Sequence, residues 1–247
     1  MNIAIITAGG KGSRMGNKIP KQFIDINGKP IIAYTIDTFE RHQLIDAIVV
    51  VCLKEWMEIA RVAMKRNYMS KVVRVVEGGD EGQRSIYNGL LAARDYAREA
   101  GCDNPTVLVH DAVRPMVTTQ LITDCINATA THGNAIVVAT PTETFIIENE
   151  GQRQLLDRDK MHIVRAPQCF HLNDILQLHE RAIADGKTDF RDCCSMLCDY
   201  DIPYHMVIGP TTNIKITFPS DVILFRSLLN YIEMQQVFTP PLYDLIN

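Results

Sequence analysis

The sequence predicts an α/β fold in which a mostly parallel sheet is sandwiched between helices. Two observations carry this reading. Short β-branched runs alternate with segments of helical periodicity, and several of those runs are apolar throughout, as strands covered on both faces must be. A third observation adds a projection: between residues 142 and 165 the alternation stops in a long polar stretch.

The elements follow in order. Ile3 to Thr7 reads as a strand that ends in a glycine-rich loop. Ile32, Tyr34, Ile36 and Phe39 give a helix over 31–42. The run from Ala47 to Val51 is a buried strand, followed by a helix over 54–67. A strand over 72–76, a helix over 83–99 and a strand over 106–109 continue the pattern. A helix over 121–131 and a strand over 135–139 complete it. The stretch 142–165 carries Glu143, Glu148, Glu150, Arg153 and the run Asp157 to Lys160. A structureless loop of that length is uncommon in a compact domain, so it predicts a hairpin-like β-arm that leaves the core. Helices over 173–185 and 191–200, a strand over 204–208 and a helix from 220 to about 235 complete the chain. Together these define a Rossmann-like sheet in one domain over 1–239, with the arm at 142–165 and a loosely held tail at 240–247.

Composition narrows the function. The 247 residues are 47% hydrophobic and 22% charged, which suits a globular protein with a full core. Lys plus Arg is 25 and Asp plus Glu is 29, a net charge of −4. That balance argues against a nucleic-acid partner, which calls for excess positive charge. The longest apolar stretch, Ala47 to Leu53, is far too short for a bilayer, so no membrane association is expected. The first residues lack a basic leader and a cleavage site. The seven cysteines include no CxxC pair, and Cys193, Cys194 and Cys198 lack zinc-ligand spacing. A cytoplasmic protein with reduced thiols is expected.

In a parallel α/β sheet, ligands bind at the C-terminal edge, so the loops after strands matter most. The first of them, from Ala8 through Gly9, Gly10, Gly12 and Arg14 to Gly16, packs glycines closely enough to form an anion-binding nest. Arg14 adds a forked donor set and Lys21 a second cation, as a polyphosphate cradle needs. No GxxxxGK[ST] string exists, and Gly10-Lys11-Gly12 is followed by Gly16, one residue too far for the dinucleotide fingerprint. An NAD-dependent oxidoreductase is disfavoured on that spacing. A plain glycine-rich turn remains the alternative for this loop taken alone.

AGGKGSRMG followed by PKQF resembles the nucleotidyltransferases that activate sugar or polyol phosphates. The PKQF form is most similar to the cytidylyltransferases for 2-C-methylerythritol 4-phosphate and ribitol 5-phosphate. Four further motifs stand in matching order. They are Gly78-Gly79-Asp80 with Arg84-Ser85 and Asn88-Gly89; HDAVRP over 110–115; Pro167-Gln168; and NIKIT over 213–217. The resemblance spans residues 2 to 230 and implies a nucleotidyltransferase, GT-A-like version of the fold. It implies that Ala8, Gly9, Gly10 and Gly12 line the nucleotide, and that Gly79, Asp80 and Ser85 read cytosine. Arg14, Lys21 and Lys215 would hold the phosphates. Asp111 would contact an acceptor hydroxyl or lie near the metal. Thr144 and Arg158 match the positions that grip the acceptor phosphate across a homodimer built on the arm. CTP and a polyol phosphate are the implied substrates, and magnesium the implied cofactor.

Elementary chemistry agrees with that list. A phosphate monoester has a second pKa of about 6 and is mostly dianionic at neutral pH, so it needs no general base. The obstacle is repulsion: two unit charges about 4 Å apart repel by about 4 kcal/mol at an effective dielectric of about 20. Cations must cancel that and stabilise charge building at the α-phosphorus during in-line attack.

Some positions depart from the methylerythritol-phosphate pattern. Val113 replaces an alanine, Ala166 a threonine and Glu143 an aspartate, and Gly82 stands where arginine often follows GGxE. Thr188-Asp189 is followed by Phe190 rather than by an acid. HDAVRP and Lys54-Glu55-Trp56 are more similar to the ribitol-phosphate branch. Ribitol 5-phosphate or a related polyol phosphate is therefore the expected acceptor, with 2-C-methylerythritol 4-phosphate the alternative. A catalytically silent nucleotide-binding protein is the further alternative. Cys193 and Cys194 either shape the acceptor pocket or only pack.

Overall fold

Strand β1 (Asn2–Ala8) is apolar and buried along most of its length, and it seeds the centre of a seven-stranded sheet. A computed structural model describes residues 1–10, 19–149 and 151–238. After β1 a 3-10 turn (Lys21–Phe23) leads to a small hairpin, β2 (Asp25–Ile26) and β3 (Lys29–Pro30). There follow α1 (Ile31–Arg41), β4 (Ala47–Cys52), α2 (Met57–Arg66), β5 (Val72–Glu77), α3 (Gly82–Glu99) and β6 (Thr106–Asp111). Next come α4 (Thr119–His132), β7 (Asn134–Ala139), the arm strands β8 (Ile146–Asn149) and β9 (Gln152–Leu155), and β10 (Ile163–His171). Helices α5 (Leu172–Ala184) and α6 (Cys193–Asp199), strand β11 (Met206–Ile208) and helix α7 (Pro219–Phe238) end the fold.

The strand order is β11-β7-β10-β6-β1-β4-β5. Every neighbouring pair is parallel except those made by β10, which runs antiparallel to both β6 and β7. The fully buried run of β4 is what a central parallel strand between two helical layers requires. Ala4, Ile6, Ile48 and Val50 pack toward α1, α2 and α4. Ile3, Ile5, Val49 and Val51 pack toward α3, α5 and α6. A third cluster, with Ile26, Ile31, Val113, Ile216 and Phe225, seats the β2–β3 hairpin and α7 beside the sheet edge. The helix ends are chemically marked. Thr118 caps α4 by accepting from Leu121 N at 3.2 Å, and Gly133 closes it at φ 86°.

The expected strands and helices are found within a few residues of their predicted ends. Residues 54–56 form a separate 3-10 turn before α2, so the expected helix over 54–67 is two pieces. Two elements depart from expectation. The β2–β3 hairpin was not anticipated, and β10 takes the chain back into the main sheet at Ile163, inside the stretch 142–165 expected as arm. Ile163 and Val164 pair with Ala139 and Val138, and the pairing resumes at Gln168 after an irregularity. Pro167 lies in that interruption, where no ladder hydrogen bond is asked of it. The projecting part is the β8–β9 hairpin, with Ile146 opposite Leu155 and a following 3-10 turn at Arg158–Lys160. The expected tail at 240–247 lies outside the described residues.

Candidate active site

The sheet order changes direction at β1, with β4 and β5 to one side and β6 to the other. The crevice outside the ends of β1 and β6 is the switch point where such sheets bind ligands. A cleft of about 960 Å³ opens there.

One half of the cleft is made of glycine. Ala8, Gly9 and Gly10 enter it from β1, and Gly78, Gly79 and Asp80 from β5. Ser85, in the first turn of α3, accepts from Gly79 N at 3.0 Å and donates to Gly79 O at 3.3 Å. A Cβ on Gly9 or on Gly78 would meet Ser85 Oγ at 3.0 Å, so the hydroxyl reaches this point because both are glycine. The PKQF tetrapeptide props the same loop from below. Buried Gln22 donates from Nε2 to Ala8 O at 2.7 Å and to Gly10 O at 3.2 Å. Phe23 stacks on Trp56 with ring centroids 5.1 Å apart. Lys21, only 8% exposed, lines the cleft beside them. Helix α3 starts at the rim, where Glu81 makes no side-chain capping bond, so its positive end serves this half.

The other half is charged. Asp111 ends β6, and its two carboxylate oxygens have different cations: Lys215 Nζ at 2.8 Å on Oδ1 and Arg114 Nε at 2.8 Å on Oδ2. Burial pushes the Asp111 carboxyl up, but Lys215 and Arg114 outweigh it and hold the group well below the usual carboxylate range. Arg114 also donates to Asn213 O at 3.0 Å. Arg165 donates to Thr211 O and Asn213 O, each at 2.9 Å, and to Pro210 O at 3.3 Å. Burial and the nearby Arg114 charge both lower the Arg165 pKa. Asn213 completes the net by donating from Nδ2 to Ala166 O at 2.8 Å. Ile216 N bonds Val113 O at 2.9 Å, and the buried Ile216 side chain anchors the segment that carries Lys215.

His110 is no candidate proton carrier. Its Nε2 lies 3.1 Å from Arg114 O, which can only accept, so the ring proton sits on Nε2. Burial pushes its pKa down to about 4, which keeps it neutral. Cys193 and Cys194 resolve to packing residues of the α6 core face, and burial pushes the Cys194 thiol up to about 12.

Of the residues singled out in the sequence, Ala8, Gly9, Gly10, Lys21, Gly79, Asp80, Ser85, Asp111 and Lys215 come together around this one cleft. Gly12 and Arg14 lie outside the described residues. Thr144 and Arg158 are exposed on the arm and do not line their own chain's cleft; Arg158 donates to Thr142 O at 3.3 Å. Sequence reasoning gave no role to Gln22, Arg114, Arg165 or Asn213. Three of these stood inside quoted motifs, and their signal was the motif itself. Among the described residues no group of three His, Cys, Asp or Glu side chains could hold a metal, and both oxygens of Asp111 are engaged by cations. The described residues therefore offer the implied magnesium no all-protein cage.

A glycine-built crevice at the switch point, facing a cationic wall with no base poised for proton transfer among the described residues, defines a nucleotidyltransferase. The comparisons narrow the class. The chain belongs to the 2-C-methyl-D-erythritol 4-phosphate cytidylyltransferase (IspD) family, whose model matches residues 2–230. It is 41% identical over 241 residues to a protein of Vibrio parahaemolyticus named ribitol-5-phosphate cytidylyltransferase, covering 96% of this chain and 100% of the relative. It is 38% identical over 230 residues to the 2-C-methyl-D-erythritol 4-phosphate cytidylyltransferase of Clostridium botulinum (strain Langeland), covering 92% and 97%. The solved structure of 4-diphosphocytidyl-2C-methyl-D-erythritol synthase from Anaerococcus prevotii superposes with a TM-score of 0.79 at 27% identity, covering 93% and 96%.

Proposed function

We propose that this protein transfers the cytidylyl group of CTP to ribitol 5-phosphate, forming CDP-ribitol and pyrophosphate. The observation that carries the reading is the division of one cleft into a glycine half and a cationic half. The glycine loop and Ser85 offer backbone and hydroxyl groups to the cytosine edge and the triphosphate. A pocket of that kind discriminates by leaving its polar groups unpaired when the wrong base enters. Lys215, Arg114 and Asp111 receive the acceptor, with Asp111 accepting from a polyol hydroxyl. An oxygen of the acceptor phosphate attacks the α-phosphorus in line, a new P–O bond forms, and the bond to pyrophosphate breaks. The acceptor arrives as a dianion, so no proton need leave it. Arg14, Lys21 and Lys215 supply the neutralisation. Magnesium bound with CTP would add charge neutralisation at the phosphates, and Asp111 keeps a free lone pair on each oxygen beside Lys215 and Arg114.

The ribitol acceptor is favoured over 2-C-methylerythritol 4-phosphate by the HDAVRP and Lys54-Glu55-Trp56 strings and by the higher identity to relatives named for ribitol 5-phosphate. Pyrophosphate release with CTP, magnesium and each acceptor in turn tests this. Turnover with ribitol 5-phosphate at least about tenfold above the alternative is expected, a gap of about 1.4 kcal/mol. The reverse preference removes the acceptor assignment, and inactivity with both removes the function.

The arm is proposed to pair two copies of the chain. Ile146 and Leu155 sit opposite each other on the hairpin, 61% and 69% exposed, an apolar pair on a projection with no core of its own. Across such a pairing Thr144 and Arg158 would reach the partner's cleft and grip the acceptor phosphate. Light scattering should give a dimer, and Ile146→Glu with Leu155→Glu should give a monomer with strongly reduced turnover. A fully active monomer would end the proposal. No described helix is long and apolar enough to cross a membrane, in keeping with a proposed cytoplasmic location.

A further inference from the structure

Residues 187–192 lead into α6 and bring Arg191 and Asp192 to the cleft. Gln83, 2% exposed, grips this segment twice: Nε2 donates to Lys187 O at 2.9 Å, and Oε1 accepts from Phe190 N at 3.1 Å. Immediately beyond, Asp192 and Ser195 close a capping box, with Ser195 N donating to Asp192 Oδ1 at 2.8 Å. Cys194 N donates to Gln168 Oε1 at 3.0 Å, which ties the same turn to the cleft-lining strand. Arg191 lies between these anchors. Its backbone is fixed from both sides, and its oxygen lies 3.9 Å from where a Cβ on Gly82 would be. The residue lines the cleft and is exposed.

The other cations of that wall have protein partners. Arg114 and Lys215 hold Asp111, and Arg165 is bonded to the carbonyls of Pro210, Thr211 and Asn213. Arg191 makes no hydrogen bond or ion pair with any described residue. An exposed arginine on braced backbone in a cleft wall, bonded to no described residue, keeps its full forked donor set for a ligand.

We propose that Arg191 is an acceptor-binding residue that holds the phosphate of the polyol phosphate. The proposal rests on the reading of this cleft as the site where CTP meets such an acceptor. The segment stands where the glycine half, through Gly82, adjoins the β10 side, through Gln168. The triphosphate has its own cradle at the loop after β1. The acceptor's phosphate must come to this join to reach the α-phosphorus, and Arg191 would meet it there beside the arm residues Thr144 and Arg158. The assignment adds to Lys215 and Arg114 a further same-subunit cation for the acceptor, one not already bonded to protein.

The test is steady-state kinetics of the full chain and of Arg191→Ala and Arg191→Lys with ribitol 5-phosphate, beside calorimetric titration of CTP with magnesium. Arg191→Ala should raise the acceptor KM by about tenfold to a hundredfold, the range for one lost charged hydrogen-bond pair. CTP affinity should stay within about twofold, because the nucleotide half is untouched. Arg191→Lys should fall between, since the ammonium keeps the charge and loses the fork. An unchanged acceptor KM in Arg191→Ala overturns the proposal. So does a loss of CTP affinity that accounts for the kinetic loss, which would give Arg191 to the nucleotide. A wild-type protein inactive on every polyol phosphate would instead remove the function beneath it. The side chain is exposed, so both variants should melt as the parent does. If Arg191→Ala alone fails to fold, Arg191→Lys decides by the same KM criterion.

Discussion

Lys215→Met is expected to lower kcat/KM by about a hundredfold to a thousandfold while leaving the fold intact. The range is that for deleting one preorganised group that meets charge building in the transition state. The side chain is 44% exposed at the cleft, so its removal leaves no core cavity. Its loss acts twice. It removes an ammonium from the cationic half, and it leaves Asp111 with Arg114 alone. The second consequence can be read separately. In the parent the Asp111 carboxyl is depressed, so its contribution to stability is fully present above the ordinary Asp pKa of about 3.9 and is lost as pH falls through the lower folded value. Without Lys215 the folded carboxyl titrates higher, and the Asp111 contribution shrinks and disappears at a higher pH. Acid unfolding followed by circular dichroism should therefore move to higher pH in Lys215→Met. Full activity with an unmoved acid midpoint would show that the 2.8 Å contact with Asp111 serves neither role.

The legible part of this molecule is the part in which one residue type serves one purpose. Ala47 to Cys52 had to be a strand, because an apolar β-branched run with no helical stripe fits only a sheet covered on both faces. The glycine loops were legible for the same reason, since clustered glycine marks backbone brought close to a ligand. Strand β10 was not legible, because Arg165, Pro167 and Gln168 give it the look of a loop. Their polar groups are satisfied by partners far along the chain: Arg165 by carbonyls at 210–213 and Gln168 by the amide of Cys194. Local pattern cannot announce such partners. The β2–β3 hairpin, although not anticipated, does carry a local signal. Asn27 and Gly28, at φ 53° and 82°, are the Asn-Gly pair that a tight hairpin turn favours, and the flanking strands were simply too short to show alternation. In the site, the motif residues were readable as strings, but their division of labour was not. That Gln22 props the glycine loop, or that Asp111 is shared by two cations, is a fact of distance. Arg191 was hidden because the Thr188-Asp189 pair nearby drew the comparison with other sequences, while the residue that lines the cleft stands three positions on.

Gly79→Ala should weaken CTP binding by at least about tenfold, whereas Gly10→Ala should leave the fold undisturbed. Both residues line the glycine half of the cleft, proposed above to take the nucleotide, and they differ in the space around them. A Cβ on Gly79 would collide with Cβ and Cγ of Arg84 and approach the Arg84 carbonyl carbon at 3.2 Å. Those atoms sit at the root of the Arg84 side chain and in the α3 backbone, so a rotamer change cannot relieve the clash. The loop must move off α3, and the paired contacts between Gly79 and Ser85 at 3.0 and 3.3 Å break. The loss falls on the segment proposed to meet cytosine. About 1–3 kcal/mol of folding stability should go with it, the usual cost of overpacking. Gly10 meets no described atom within 4 Å of a built Cβ, and its φ lies outside the left-handed region. A melting temperature equal to the parent's is therefore expected for Gly10→Ala. Any fall in its CTP affinity then measures the methyl group's intrusion on the ligand itself. Calorimetric titration of both variants with CTP, beside thermal unfolding, separates the two mechanisms. Parental CTP affinity in Gly79→Ala would mean that the Gly78–Asp80 loop does not carry the base.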